Sequence, residues 1–388
     1  MKDVILYKAM PIIALFFLSY VNLFTSPVFL VLSLLLIAPY MIYRYKIFIN
    51  NKYLCLFAIM GLFGSLINLI GTNNGIGGTI NFVVALGITV FCIENINIVR
   101  YFVLIFCIYT VCFVYTGLFI NELDINALYE NIGLSRNFPG FIMCTCCCFW
   151  GFFKYLKKHE LPILLPIICT IFAFFLDGRS TLGVLFGLSL FCLYCTFRRF
   201  TIVFILCLII LIIVFLDDII NIYLLTNIAT SGMETGRFDI WKGYIENLDL
   251  STIILGLNTM DVPVIRKFNG NPHNAFLNFH YRMGLFGIIG LLLVIYMRIK
   301  IILKRRSFIL FGFQLFLLIR IFFDACLGAS TDYLIYTIFL YPLLYNQKYL
   351  RRARKRREAQ KQIFRRHNTQ NPIFEKINSI FSKVERLI

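Results

Sequence analysis

"GNPHNAFLNFHYRMGLFGIIG", residues 270 to 290, begins as a polar loop and ends as an apolar helix. The apolar pattern holds over 274–297, longer than the ~20 residues a helix needs to cross a bilayer. Similar segments, several of them short or interrupted by Gly and Pro, recur at 5–23, 27–43, 53–71, 79–96, 101–120, 138–153, 161–176, 180–197, 201–216, 308–328 and 333–347. The chain is 60% hydrophobic and 14% charged, with a mean hydropathy of +0.82, whereas a soluble domain carries about 25% charged residues. That composition excludes a soluble enzyme. It predicts an all-α polytopic membrane protein of about twelve transmembrane helices. The N-terminal apolar segment has no small-residue cleavage site and reads as a first span rather than a leader.

The connections sort by charge. One set carries Arg44, Lys46 and Lys52, then Arg100, then Lys154, Lys157 and Lys158, then Arg198 and Arg199, then Arg298, Lys300, Lys304, Arg305 and Arg306. The alternate set ("TSP", "GTNNGIGGT", "NELDINALYENIGLSRN", "DGRS", 217–272 and "GASTD") is poor in cations. Positive charge stays on the cytoplasmic side of bacterial membranes, so both termini are expected there. The expected divisions are nine spans in 1–216, an outer loop at 217–272, three spans in 273–347 and a basic tail at 348–388. That tail holds thirteen Lys/Arg against three Glu, ten of the eighteen net positive charges. Next to a last span it suits anionic inner-leaflet lipid rather than nucleic acid. Beyond Pro372, Ile373, Phe374, Ile377, Ile380, Phe381, Val384 and Leu387 recur at helical spacing, predicting an amphipathic surface helix.

Thirteen cysteines lie in or beside apolar segments. "CTCCCF" has the spacing of a metal site, but it sits in a span without a nearby acid or histidine. Its thiols read as small core hydrophobes, and no disulfide framework follows.

The 56-residue loop 217–272 is out of proportion to the others, and long ordered loops usually carry function. "TSGMETGRFDIWKGYIENL" offers Ser/Thr caps followed by Phe238, Trp241, Tyr244, Ile245 and Leu248 at helical spacing, which predicts an amphipathic helix at the outer interface. Of four histidines, His273 and His280 fall on this side. On one helix, seven residues return to within about 20° of the same face, ~10 Å further along. His273, behind Asn271-Pro272, is placed to meet an anion at a helix N-terminus; a capping or core role is the alternative. Arg282 falls on the opposite face.

Arg179 stands in the turn "FFLDGRSTLG", where an always-charged group needs a partner or a wet cavity; an ion pair with Asp177 is the alternative. Arg237 begins the loop helix, where a cation opposes the dipole. Arg320 and Asp324 lie one turn apart and could pair with each other. Arg136 and Arg266 are further outer cations. Arginine forks suit phosphate oxygens, and an imidazole titrating near neutrality suits proton abstraction from a hydroxyl. The loop has no DxD-like acid pair and no metal-ligand spacing, so arginine is expected to neutralise charge in place of Mg²⁺, with no cofactor. The implied substrate is a phosphate-bearing, lipid-linked molecule that arrives already activated.

"DGRSTLGVLFGLSLF", "TGRFDIWKGYIENLDLSTIILGLN" and "HNAFLNFHYRMGLFG" resemble, in order and character, the O-antigen polymerase and O-antigen ligase superfamily of GT-C-type membrane glycosyltransferases. The resemblance covers roughly residues 130–345, most sharply at His273-Asn274 and Gly284-x-x-Gly287. It implies catalysis by Arg179 and Arg237 on an undecaprenyl pyrophosphate donor, with His273 as base or orienter of the acceptor. Substrate contacts are expected from Arg136, Arg266, Arg320, Asp324, Asn274, His280 and Trp241. Expected partners are membrane lipid, undecaprenyl-pyrophosphate-linked glycans, and a chain-length regulator and flippase of the same pathway. The interval of 36 positions from Arg237 to His273, and "TGRFDIW" before "ILGLN", are more similar to polymerases than to ligases. A transporter of lipid-linked oligosaccharide remains a rival reading, although the charges gather at one face instead of at the midplane.

Overall fold

The computed structural model describes residues 9–17, 19, 28–71, 76–120, 137–176, 179–198, 236–268, 270–305, 307–323 and 332–341. Among these the chain is helical almost throughout and contains no strand. The helices are α1 (Met10–Phe16), α2 (Val28–Tyr43), α3 (Tyr45–Asn50), α4 (Lys52–Gly71), α5 (Gly77–Glu94) and α6 (Ile96–Tyr115). A π-helical turn, Thr116–Ile120, extends α6. Then come α7 (Asn137–Lys158), α8 (Leu164–Phe175), α9 (Arg179–Thr196), α10 (Arg237–Glu246), α11 (Leu250–Leu255), α12 (Pro263–Arg266), α13 (Ala275–Arg305) and α14 (Phe308–Phe322). Residues 332–341 form a further helical segment. The apolar segment at 201–216, and the tail with its amphipathic helix, lie outside the described residues.

Six helices among the described residues, starting at Lys52, Gly77, Ile96, Asn137, Arg179 and Ala275, are long and apolar enough to cross a membrane. Helices α2, α8 and α14 are apolar but shorter. Large side chains stay exposed on these helices, as with Ile70 at 87% and Ile42 at 74%. In water such a belt would drive association; in a bilayer it meets lipid at no cost.

Two helices act as hubs. Helix α7 packs against α6, α8, α9 and α14, and Pro139 through Phe149 are buried without interruption. Helix α13 packs most extensively on α4 and also touches α5, α11 and α14. Glycine lets the helices interlock: the Phe313 ring fills the space where Gly151 lacks a side chain, and the Phe191 ring does the same over Gly312. At the opposite end of the bundle from α10 to α12, Glu94 ties α5 to α2. It accepts from the Tyr40 hydroxyl at 2.7 Å and pairs with Arg44 Nε at 2.8 Å.

Candidate functional site

The stretch 236–274 folds around its own small core. Ile240, Tyr244, Leu257, Val262 and Ile265 are buried together, with Trp241, Leu248, Val264 and Leu277 packed against them. The inward face of α10 is therefore Ile240 and Tyr244, while Phe238 and Ile245 are 74% and 61% exposed. Of the stripe expected from spacing, Trp241, Tyr244 and Leu248 face this core, where α10 packs on α12, and Phe238 and Ile245 do not. No Ser or Thr caps it. Gly236 is the N-cap, in a left-handed conformation with φ of 61°. Helix α11 is set by a capping box: Asp249 Oδ1 accepts from the Thr252 N–H at 2.7 Å, and Thr252 Oγ1 accepts from the Asp249 N–H at 2.8 Å.

Three side chains clamp this unit to the bundle. Trp241 Nε1 donates to the Pro272 carbonyl at 3.2 Å, and its ring packs on Phe322 and Phe323 at the end of α14. His280 uses both ring nitrogens. Nε2–H donates to the Ile253 carbonyl at 2.9 Å, and in the neutral ring Nδ1 accepts from the Tyr244 hydroxyl at 2.8 Å. A carbonyl can only accept, so the tautomer follows from geometry. Asn68, on α4, donates from Nδ2 to the carbonyls of Leu255 and of Tyr281, the latter at 2.7 Å.

That last contact explains a break in α13. Gly284 adopts φ 57° and ψ −165°, so the helix is interrupted one turn after His280. The interruption frees carbonyls that must be satisfied inside an apolar bundle. Asn68 takes that of Tyr281. A Cβ on Gly284 would collide with the Ile254 carbonyl, and one on Gly256 (φ 96°) would lie 2.5 Å from the His280 carbonyl oxygen. The end of α11 thus seats in the notch, backbone against backbone.

His273 precedes α13 by two residues, with φ of 47°. It does not share a helical face with His280, as the seven-residue spacing suggested. Pro272 and the Asn274 cap delay the helix until Ala275. The His273 N–H donates to Asn271 Oδ1 at 2.9 Å, and its ring meets Phe268 edge-on at 5.9 Å. Phe268 also lies beside Gly236, 3.8 Å from where a Cβ would stand. One aromatic ring thereby bridges His273 and the start of α10, where Arg237 sits. Asn274 caps α13, its Oδ1 accepting from Phe276 N and Leu277 N at 2.9 and 3.1 Å. Arg266 is exposed and braces the loop, donating from Nε to the Met260 carbonyl at 2.7 Å.

Two of the remaining cations, Arg179 and Arg320, lie at the same end of the bundle. Arg179 opens α9, half-buried, and two residues on Thr181 occupies the space beside Gly140 near the start of α7. Arg320 is fully buried on α14. It donates to the Asn137 carbonyl at 3.4 Å and lies over the Phe141 ring at 5.6 Å. Arg136, Asp177 and Asp324 lie outside the described residues. Arg282 faces α5, its Cβ 4.0 Å from where one would stand on Gly78. Its charge and that of buried Asp332 both act on the Tyr336 hydroxyl, which donates to Asp332 at 3.2 Å.

Sequence reasoning missed Asn68, Gly256 and Asp332, and read Tyr244 only as part of an apolar stripe. Only Asp332 carried a readable signal, an acid at the edge of an apolar segment. The others act through chain-distant backbone carbonyls or an imidazole. No protein-family model, no curated protein and no solved structure matches the chain.

Proposed function

We propose that this chain is an inner-membrane glycosyltransferase. It would extend undecaprenyl-pyrophosphate-linked oligosaccharide units into surface polysaccharide on the periplasmic face. The acceptor hydroxyl attacks the anomeric carbon of the donor, the bond from that carbon to the pyrophosphate oxygen breaks, and the configuration inverts. His273 takes the hydroxyl proton, and Arg179 and Arg237 offset the charge on the departing pyrophosphate. The observation that carries this reading is the folded unit 236–274, which holds the start of α10 and His273 against one ring, Phe268. Arg179 and Arg320 gather at the same end of the bundle. The family resemblance supplies the substrate class.

Losing one positioned donor to developing charge costs ~10²–10³ in rate. Arg179→Ala, Arg237→Ala and His273→Ala are each expected to abolish long polymer while the protein still inserts. Normal polymer ladders from Arg237→Ala would refute the assignment. Purified protein reconstituted with lipid-linked repeat units separates the readings: lengthened glycan marks a polymerase, translocation alone a transporter. Deletion of the gene distinguishes the ligase. Core bearing a single repeat follows from a lost polymerase, bare core with accumulated lipid-linked polymer from a lost ligase.

A further inference from the structure

Eight cysteines among the described residues have no exposed surface. Three of them converge from three different helices: Cys107 of α6, Cys147 of α7 and Cys169 of α8. Their sulfurs all lie within 4.8 Å of one another, with Cys107 and Cys169 Sγ 3.6 Å apart. Cys146 also reaches the Cys107 thiol. The cluster sits mid-helix in each case, away from the unit 236–274. Core packing asks only for small side chains at such positions; alanine or valine would serve, and it gives no reason for three thiols to meet.

We propose that Cys107, Cys147 and Cys169 form a trigonal site for a soft monovalent metal ion, copper(I). Three arguments select that ion. Metal–thiolate bonds of about 2.3 Å in a trigonal plane place sulfurs ~4 Å apart, so the observed spacing needs only sub-ångström adjustment. An all-sulfur donor set prefers copper(I) to hard cations. The ligand count then argues against zinc, whose structural sites almost always hold four ligands in a tetrahedron, whereas this cluster offers three sulfurs. In the binding step one S–H bond breaks, one S–Cu bond forms and the proton passes to the aqueous buffer. The same exchange of S–H for S–Cu takes place at each thiol that ligates, and no electron moves. The site closes only when α8 packs on α6 and α7, so the ion is captured as the bundle folds.

The test uses the full chain expressed in copper-replete cells and purified without oxygen, in detergent with reductant. The expected result is one copper retained per chain against a competing copper(I) chelator. X-ray absorption should give three sulfur neighbours at about 2.3 Å. The double variant Cys107→Ala/Cys169→Ala should lose the metal, while Cys112→Ala, an exposed thiol on α6, should keep it. Absence of retained copper in the unaltered protein would overturn the proposal. So would nitrogen or oxygen neighbours around the copper, equal retention in the double variant, or a mass deficit showing a Cys107–Cys169 disulfide. The first, second and last of these are read on the unaltered chain, so they hold even where the double variant fails to fold.

Discussion

His280 looks, in sequence, like a substrate contact, and the fold employs both of its nitrogens as a latch. Its partners, Tyr244 and the Ile253 carbonyl, lie 36 and 27 residues away. Tyr244 is fully buried, and that burial pushes its hydroxyl above the usual tyrosine range, so it stays neutral and donates. Removing it leaves a half-buried ring nitrogen without its partner, which costs about 1 kcal/mol. Tyr244→Phe is therefore expected to lower the thermal stability of the purified protein and to speed protease cleavage within 236–274. Polymer length should fall only partly, in contrast to His273→Ala. If Tyr244→Phe matched the unaltered protein in both stability and cleavage, the latch would carry no weight. Asn274 and Arg266 tell a similar story. Asn274 Oδ1 serves the cap of α13 and Arg266 Nε the Met260 carbonyl, so both have a structural task beside the substrate contact expected of them.

Among the elements, α11 decides how the unit 236–274 is held. It has six residues, too few to be stable alone, and depends on its capping box and the notch in α13. Asp249 is exposed, and its carboxyl is held down to about 2, chiefly by the Thr252 N–H, then by the Ser251 and Thr252 hydroxyls. A depressed carboxylate stabilises above its unfolded range, and the contribution disappears as pH falls through the folded value. Cleavage of 247–256 should therefore be unchanged from neutrality down to about pH 4, the ordinary carboxylate range. Asp249→Ala should accelerate it across that interval. Gly256→Ala tests the socket itself. A β-carbon there would meet the His280 and Tyr281 carbonyls in a left-handed backbone, and strain of that kind costs about 1–3 kcal/mol. Loss of polymer with retained α-helical circular dichroism is the expected outcome; a fully active Gly256→Ala protein would show that the notch does not need to be tight.

Across the whole molecule, the charge pattern predicts that the helix ends alternate between the two sides of the membrane. Reporter fusions check this directly. A phosphatase joined after Asn258 should be active, as on the outer side, and one joined after Lys158 inactive; the reverse pattern would turn the proposed site inward. The alternation of apolar and cationic stretches was enough to read the all-helical class, because lipid demands long apolar helices with internally satisfied backbones. The helix that starts at Arg237 was legible too, from the helical spacing of the apolar residues after it. What local pattern could not supply was partnership. Asn68 with Tyr281, Phe268 between Gly236 and His273, and three thiols from three helices each depend on chain segments brought together only by packing. Hydrophobic periodicity records which face of a helix is buried, but not which neighbour buries it. For that reason the sequence alone determined the long apolar helices, whereas the notch at Gly284, the latch at His280 and the thiol cluster were decided by tertiary structure.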